Sequence, residues 1–478
     1  MSFATAIVKD NVTPMSRLFS CILAAACCAS AAPDWSRFRG PNGTGIDDSH
    51  PLPATLSPTQ NVVWKVALPN GYSSPVLDKT RIFLTGFEGD KLYTICLDRA
   101  TGRINWRREA PRPRLEKFDK RNSPASPTPV VDGDSVYVFF GDYGLLAYGL
   151  DGNERWRTPV GPFNNVYGIG VSPVVAGNTV VLVIDQNRDS FAAGFDKKTG
   201  RQKWRKARPE ALSGSSTPAV HGKLIIAPAS FRVDAYDADS GEIVWFARGL
   251  ASEMKSVPVI VGDMVLISGY NTPENEPGKQ VKLPDFADVL ATNDKDKDGM
   301  ISKDEAPDAR TKRYFEFEDL DENGKLDEKE WKLFQAVLGA ENGLLAFKLG
   351  GKGDITGSGL LWKYGRAVPQ LPTLVAYKGI VYMVNDSGVL NTIDLATGKA
   401  FKTARVRGAA DSYYASIIAG DNKIFFFSRS GKITVLEAGP DQKELSTSEL
   451  DAEIFATPAI ADGKLYVRTT NALYCFGR

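Results

Sequence analysis

The feature that most constrains this chain is an internal repeat. Eight segments open with Ser/Thr-Pro or an equivalent, continue with alternating apolar residues, turn, and enter a second apolar strand: "SSPVLDKTRIFLTG", "SPTPVVDGDSVYVFFG", "VSPVVAGNTVVLVI", "STPAVHGKLIIAPA", "SVPVIVGDMVLISG", "QLPTLVAYKGIVYMV", "YASIIAGDNKIFFFS" and "ATPAIADGKLYVRT". A second element follows them: a strand ending in Asp, a Thr/Ser-Gly turn and a strand carrying Trp, as in "CLDRATGRINW", "GFDKKTGRQKW" and "AYDADSGEIVW". Asp98, Asp196 and Asp237 each precede their Trp (Trp106, Trp204, Trp245) by eight residues; "GLDGNERW" is a shortened copy ending at Trp156, and "TIDLATGKAFK" has Lys402 at the Trp position. The Asp can bond turn amides, the Gly supplies a positive φ and the Trp fills a gap between sheets. Four short strands per unit and eight units predict an all-β fold, an eight-bladed β-propeller of four-stranded antiparallel blades. The last unit stops after its third strand at "ALYCFGR", and residues 61–68, "NVVWKVAL", read as a lone fourth strand ahead of the first unit. Pairing the two closes the ring with the chain's own ends and leaves no sheet edge at the seam.

One interval breaks the period. Trp245 and Trp362 are 117 residues apart against 41 to 50 elsewhere, so about 70 residues are inserted in blade 5, between "DMVLISG" and "GLLAFKL". The insertion holds two twelve-residue acidic loops. The first offers Asp294, Asp296, Asp298, the Met300 carbonyl, Ser302 and Glu305; the second offers Asp319, Asp321, Asn323, the Lys325 carbonyl, Asp327 and Glu330. Gly299 and Gly324 stand at the sixth positions and Ile301 and Leu326 at the eighth. This is the EF-hand pattern: alternating oxygens wrap a hard cation, Gly makes the bend, and the last Glu closes the site with two oxygens. Helices are predicted before the first loop ("PDFADVLATN") and after the second ("DEKEWKLFQAVL"), giving a small α-helical EF-hand insertion with two Ca2+ sites. Phe286, Leu290, Tyr314, Phe315, Trp331 and Phe334 are enough to close the insertion's own core, so a structural role for the ions is expected over sensing.

The repeat resembles the PQQ-type repeat of quinoprotein dehydrogenases and of the propeller lipoprotein of the outer-membrane barrel-assembly machine. The resemblance rests on the S-P start and the Asp…Thr-Gly…Trp end, over roughly residues 60–478 apart from the insertion. The stretch "DWSRFRGPNGTGI" is similar to the opening of exported PQQ-like propeller proteins of planctomycetes and related bacteria; sequence gives its Arg39 and Gly40 no role. Quinoprotein dehydrogenases hold the quinone on the ring axis with a calcium ion and an Asp base, and many carry an adjacent-cysteine disulfide there. The adjacent pair here, Cys27-Cys28, lies in the leader, and no calcium-ligand set for the quinone maps onto this sequence. PQQ is therefore not expected, and the reading is a non-catalytic binding or scaffold protein, with a PQQ-dependent oxidoreductase as the alternative.

From Met15, the expected true start, "MSRLFSCILAAACCASAAPDW" reads as an export signal ending at Ala29-Ser30-Ala31. A lipoprotein signal at Cys27 is the competing reading. The expected organisation is a signal over 1–32, an extended segment over 33–59, propeller over 60–283, the EF-hand pair over 284–338 and propeller over 339–478. Net charge is +1, which argues against a nucleic-acid partner, and no apolar run is long enough to span a membrane. The expected protein is an exported, periplasmic or envelope-associated monomer. Its partners are envelope proteins, or an anionic glycan or lipid, met by the propeller faces. Residues 103–121 carry eight Lys/Arg against three Asp/Glu, a solvated loop or a contact for an acidic group, the acidic insertion included. Cys96 and Cys475 share one slot of two units and read as buried core residues. His221 reads as a turn residue, and "SRSGKIT" around Gly431 as a hairpin turn. Two histidines in the chain leave little for triads or imidazole metal sites.

Overall fold

The computed structural model describes residues 1–2, 35–407 and 411–477. Contacts separate Met1–Ala32 from Pro33–Arg478, and the architecture that follows is that of the second unit. The export signal, beyond its first two residues, lies outside the described residues.

The repeat folds into eight four-stranded meanders, and the innermost strands are Val76–Leu77, Val130–Asp132, Val174–Ala176, Ala219–His221, Val259–Val261, Val375–Tyr377, Ile418–Gly420 and Ala459–Ala461. Strands buried on both sides, such as Ser135–Phe140 and Thr179–Ile184, are continuous apolar runs; outer strands such as Gln202–Ala207 bury chiefly their Trp. The eighth sheet is completed by Val62–Ala67, antiparallel to Ala472–Phe476, so the ring closes across the chain ends as expected. The fourth sheet departs from the four-stranded pattern: Gly353–Asp354, from the turn region of blade 5, adds in parallel to the outer strand Ile243–Arg248. Arg248 N also donates to Thr356 Oγ1 at 3.0 Å, so this graft satisfies part of an edge that would otherwise be open.

Adjacent blades are locked by the repeat's own residues. A Cβ on Gly152 or Gly200 would stand 2.7 or 2.5 Å from the indole of Trp106 or Trp156 in the preceding blade, and both glycines have positive φ. These two tryptophans also donate their indole N–H to the next blade, Trp106 to Leu150 O (3.0 Å) and Trp156 to Lys197 O (3.1 Å). A buried Trp removes on the order of 200 Å² from water, worth roughly 5 kcal/mol as an upper bound. Nearer the axis, a Ser or Thr at the start of six of the eight blades accepts from the backbone of the blade before it: Ser74 N to Thr128 Oγ1, Thr128 N to Ser172 Oγ, Ser172 N to Thr217 Oγ1, Val257 N to Thr373 Oγ1, Thr373 N to Ser416 Oγ and Ser416 N to Thr457 Oγ1, all 2.9–3.0 Å. The relay explains the hydroxyls; sequence reading found the motif without its purpose.

First and third strands of every blade end on one face of the ring, and second strands end on the other. Residues 35–46 cross the first of these faces. Leu77 N donates to Trp35 O (2.8 Å), Val131 N to Ser36 O (2.7 Å) and Ala419 N to Gly45 O (2.9 Å), while Arg37 Nη2 reaches Pro218 O at 2.9 Å. At the centre Arg39, fully buried, donates to the carbonyls of Leu374 (2.7 Å), Ile417 (3.0 Å), Gly43 (3.1 Å) and Thr44 (3.2 Å). Gly40 leaves room for Trp35, whose ring lies 2.4 Å from the point a Cβ would occupy. Arg39 and Gly40 thus close one end of the axis. The segment expected to be extended also contains a short 3₁₀ turn, Pro41–Gly43.

Three helices lie between the second and third strands of the fifth blade: α1 (Phe286–Asn293), α2 (Ala309–Glu318) and α3 (Glu328–Gly339). They gather around Trp331, Phe315, Phe334, Ile301 and Leu326. Asn275 donates to the carbonyls of Val337 (2.7 Å) and Ala340 (2.9 Å), capping the end of α3, and Asn342 donates to Thr272 O at 2.7 Å, which ties the two stems.

Candidate functional site

The two acidic loops carry one hydrogen-bond pattern. In the first, Gly299 N donates to Asp294 Oδ2 (3.0 Å), Asp298 N to Asp296 Oδ1 (3.2 Å), Met300 N to Asp298 Oδ1 (2.9 Å), and Lys295 N and Ser302 N to Glu305 (2.8 and 3.0 Å). In the second, Gly324 N donates to Asp319 Oδ2 (2.8 Å), Asn323 N to Asp321 Oδ1 (3.2 Å), Lys325 N to Asn323 Oδ1 (2.7 Å), and Leu320 N and Asp327 N to Glu330 (2.8 and 3.0 Å). The bend glycines Gly299 and Gly324 have φ of 82° and 84°. Ile301–Ser302 pairs antiparallel with Lys325–Leu326, and both eighth-position apolar residues are fully buried.

Carboxylate oxygens of Asp294, Asp296 and Glu305 lie within 4.8 Å of one another, as do those of Asp319, Asp321 and Glu330. Among the described residues these are the groups of three or more such ligands. The remaining sequence-predicted residues are close by. Ser302 Oγ donates to Glu305 at 2.7 Å, Asp327 caps α3 in a capping box with Glu330, and the Lys325 ammonium pairs with both Asp296 and Asp298 across the loops.

Their electrostatics differ. The Ser302 hydroxyl and amide hold the Glu305 carboxyl down to about 2. Burial raises Glu330, with Asp327 and Asp321 adding to the rise against its amide bonds. The second loop leans on the ring, where Arg188 pairs with Asp321 at 2.7 Å.

The face carrying the helices also holds an axial cavity of about 190 Å³, floored by Phe38 and bordered by Ser74, Thr128 and Tyr167. Tyr72 and Phe455 stack there at 4.1 Å, and Lys255 lies 4.4 Å from the Tyr167 ring centroid. The single carboxylate among its described lining residues, Asp119, is held by Arg121 at 2.6 Å. Sequence reading missed this chamber because its walls come from every blade.

The basic run is largely matched by its surroundings: Arg107 pairs with Glu88 (2.5 Å), Arg112 with Asp142 (2.6 Å) and Arg114 with Glu116 (2.5 Å). Leu115–Lys117 and Glu322 of the second loop border one cavity of about 310 Å³. Cys96 and Cys475 are free and buried, and burial pushes their thiols up to about 12 and about 11. His221 is exposed at a hairpin. Among the described residues no helix is long and apolar enough to cross a membrane.

A family model described as "Outer membrane protein assembly factor BamB" matches residues 54–162 and 123–276. The protein of that name from Alkalilimnicola ehrlichii is 24% identical over 198 residues, covering 41% of this chain and 48% of that protein. The chain spans less than half the length of the curated relatives it matches. Among solved structures, BamB from Moraxella catarrhalis is 12% identical, with 87% of this chain and 97% of that chain covered at a TM-score of 0.56. A europium-containing methanol dehydrogenase is 9% identical, covering 94% and 99% at 0.57. At these identities the structures bear on fold alone. Repeat chemistry, strand order and these likenesses make the chain a PQQ-like β-propeller of eight blades.

Proposed function

We propose that this is an exported, non-catalytic scaffold of the cell envelope that binds two Ca2+ ions through an EF-hand pair inserted in its fifth blade. The observation that carries the calcium reading is the identity of two separate networks. Residues twenty-five positions apart, Asp294 and Asp319 or Glu305 and Glu330, receive the same backbone donors, and each loop converges three carboxylates. Asp298 and Asn323, with the carbonyls of Met300 and Lys325, complete the oxygen set such a cation needs. The helices' dedicated core and tied stems favour a structural ion over a switch. The scaffold role is supported by the likeness to proteins named for outer membrane assembly, with envelope proteins or an anionic glycan or lipid as partners. Calorimetric titration of the full chain tests the calcium reading. Two ions per chain are expected, lost in Glu305→Gln with Glu330→Gln; an unchanged isotherm in the double variant overturns it. Affinity capture with and without chelator, against envelope extract, tests the scaffold reading.

A quinoprotein oxidoreductase is the second reading, favoured by the axial cavity and the dehydrogenase-like fold. The residues there do not fit a calcium-bound quinone. Asp119 is committed to Arg121, and the chamber, narrowed by Phe38 and the Tyr72–Phe455 stack, is below the ~300 Å³ usual for a cofactor-sized pocket. Dye reduction with alcohols after reconstitution with quinone and calcium would restore that reading.

A further inference from the structure

A second chamber lies between the helices and the ring. It measures about 160 Å³ and shares Tyr167 with the axial cavity. Tyr314, Phe334 and Leu338 line it from α2 and α3, and Leu212 from the ring. Two carboxylates enter these mostly apolar walls. Glu253 is matched on both oxygens: Tyr167 Oη donates to one at 2.6 Å, Gln370 Nε2 to the other at 3.1 Å, and the Lys255 ammonium pairs with the latter.

Glu318, the last residue of α2, is 7% exposed, and its carboxyl group has no hydrogen bond or ion pair among the described residues. The other carboxylate lining this chamber, Glu253, is an acid like it. A buried carboxyl group needs a partner before it can ionise, and among the described residues no side chain pairs with this one. A hard divalent ion would need six or more oxygens, whereas Glu253 is already committed and no third carboxylate converges here. One unpaired carboxyl group among aromatic rings is instead the chemistry that holds an organic ammonium group, ionising as the cation enters.

We propose that this chamber binds a small organic cation of the alkylammonium class, with Glu318 as its counterion and the rings of Tyr167, Tyr314 and Phe334 around its carbon atoms. The test titrates the full chain, in calcium-containing buffer, with butylammonium chloride, using sodium chloride and butanol as controls. Saturable binding of butylammonium alone is expected, weakened at least tenfold in Glu318→Gln while the calcium isotherm stays that of the wild type. Tyr314→Leu, with the carboxylate intact, should weaken it severalfold. Should Glu318→Gln fail to fold, the wild type decides: its melting midpoint must rise with butylammonium and not with either control. Equal affinity in Glu318→Gln, or no cation-specific response in the wild type, overturns the proposal.

Discussion

The two faces of the ring treat charge in opposite ways. On the face crossed by residues 35–46, the buried Arg39 is matched by four carbonyls, and the turn carboxylates Asp98, Asp196, Asp237 and Asp394 are held low by Thr or Ser hydroxyls and turn amides. Burial draws Arg39 down to about 9, still charged at neutral pH. On the face carrying the helices, Glu305 is held low by Ser302, but other carboxylates are driven the other way. Burial raises Asp386 and Glu330, and takes Glu318 up to about 8 with Glu253 and Glu330 adding to the rise. On the first face the buried Arg39 guanidinium and these turn carboxylates are answered within the chain. The opposite face holds both chambers and both acidic loops, the places proposed above for ligands.

The largest test of that contrast is Arg39→Met. It leaves four carbonyls without their donor on the closed face, and unfolding free energy should fall by about 4 kcal/mol, read by denaturant titration, with calcium binding unchanged. A loss under about 0.5 kcal/mol would mean that the plug is ornamental. Trp331→Ala attacks the other face. A cavity at the heart of the helices should cost about 3 kcal/mol locally, seen as lost helical circular dichroism and faster amide exchange over 286–339 while the blade strands stay protected. If the blades lose protection too, the insertion and ring fold as one.

Arg188→Ala separates the two loops. Removing the competitor for Asp321 should tighten the second calcium site severalfold, within the ~1 kcal/mol of an exposed pair, and leave the first unchanged in calorimetry. The smallest effect concerns acid. Folding depresses the turn carboxylates below their unfolded value of ~3.9, so their contribution is present above that pH and is lost as pH falls through their folded values. Asp196→Asn should flatten the acid limb of a stability–pH curve slightly; a steeper limb would contradict the assignment.

The ring was readable in the sequence because its chemistry is local and repeated. Asp, Gly and Trp recur at fixed spacing, and each copy does the same thing to its neighbour. The acidic loops were readable for the same reason, since Asp294 to Glu305 spans a single turn of chain. What escaped is non-local and occurs once. Arg39 meets Leu374 and Ile417 more than three hundred residues away, and Glu318 becomes notable only when Glu253 and Tyr167 are folded against it. The added strand Gly353–Asp354 escaped because two exposed residues carry no pattern of their own.

The pairing of Val62–Ala67 with Ala472–Phe476 also sets an order in time. Seven blades draw their four strands from one continuous stretch of chain each, but Val62–Ala67 must wait for a partner on the far side of all of them. Until those two strands meet, the ring has two bare sheet edges facing each other across a gap, the kind of surface that pairs with another chain. The pairing of longest sequence separation in the ring is therefore also the one that protects it, and Val62–Ala67 with Ala472–Phe476 decides whether the circle closes on itself.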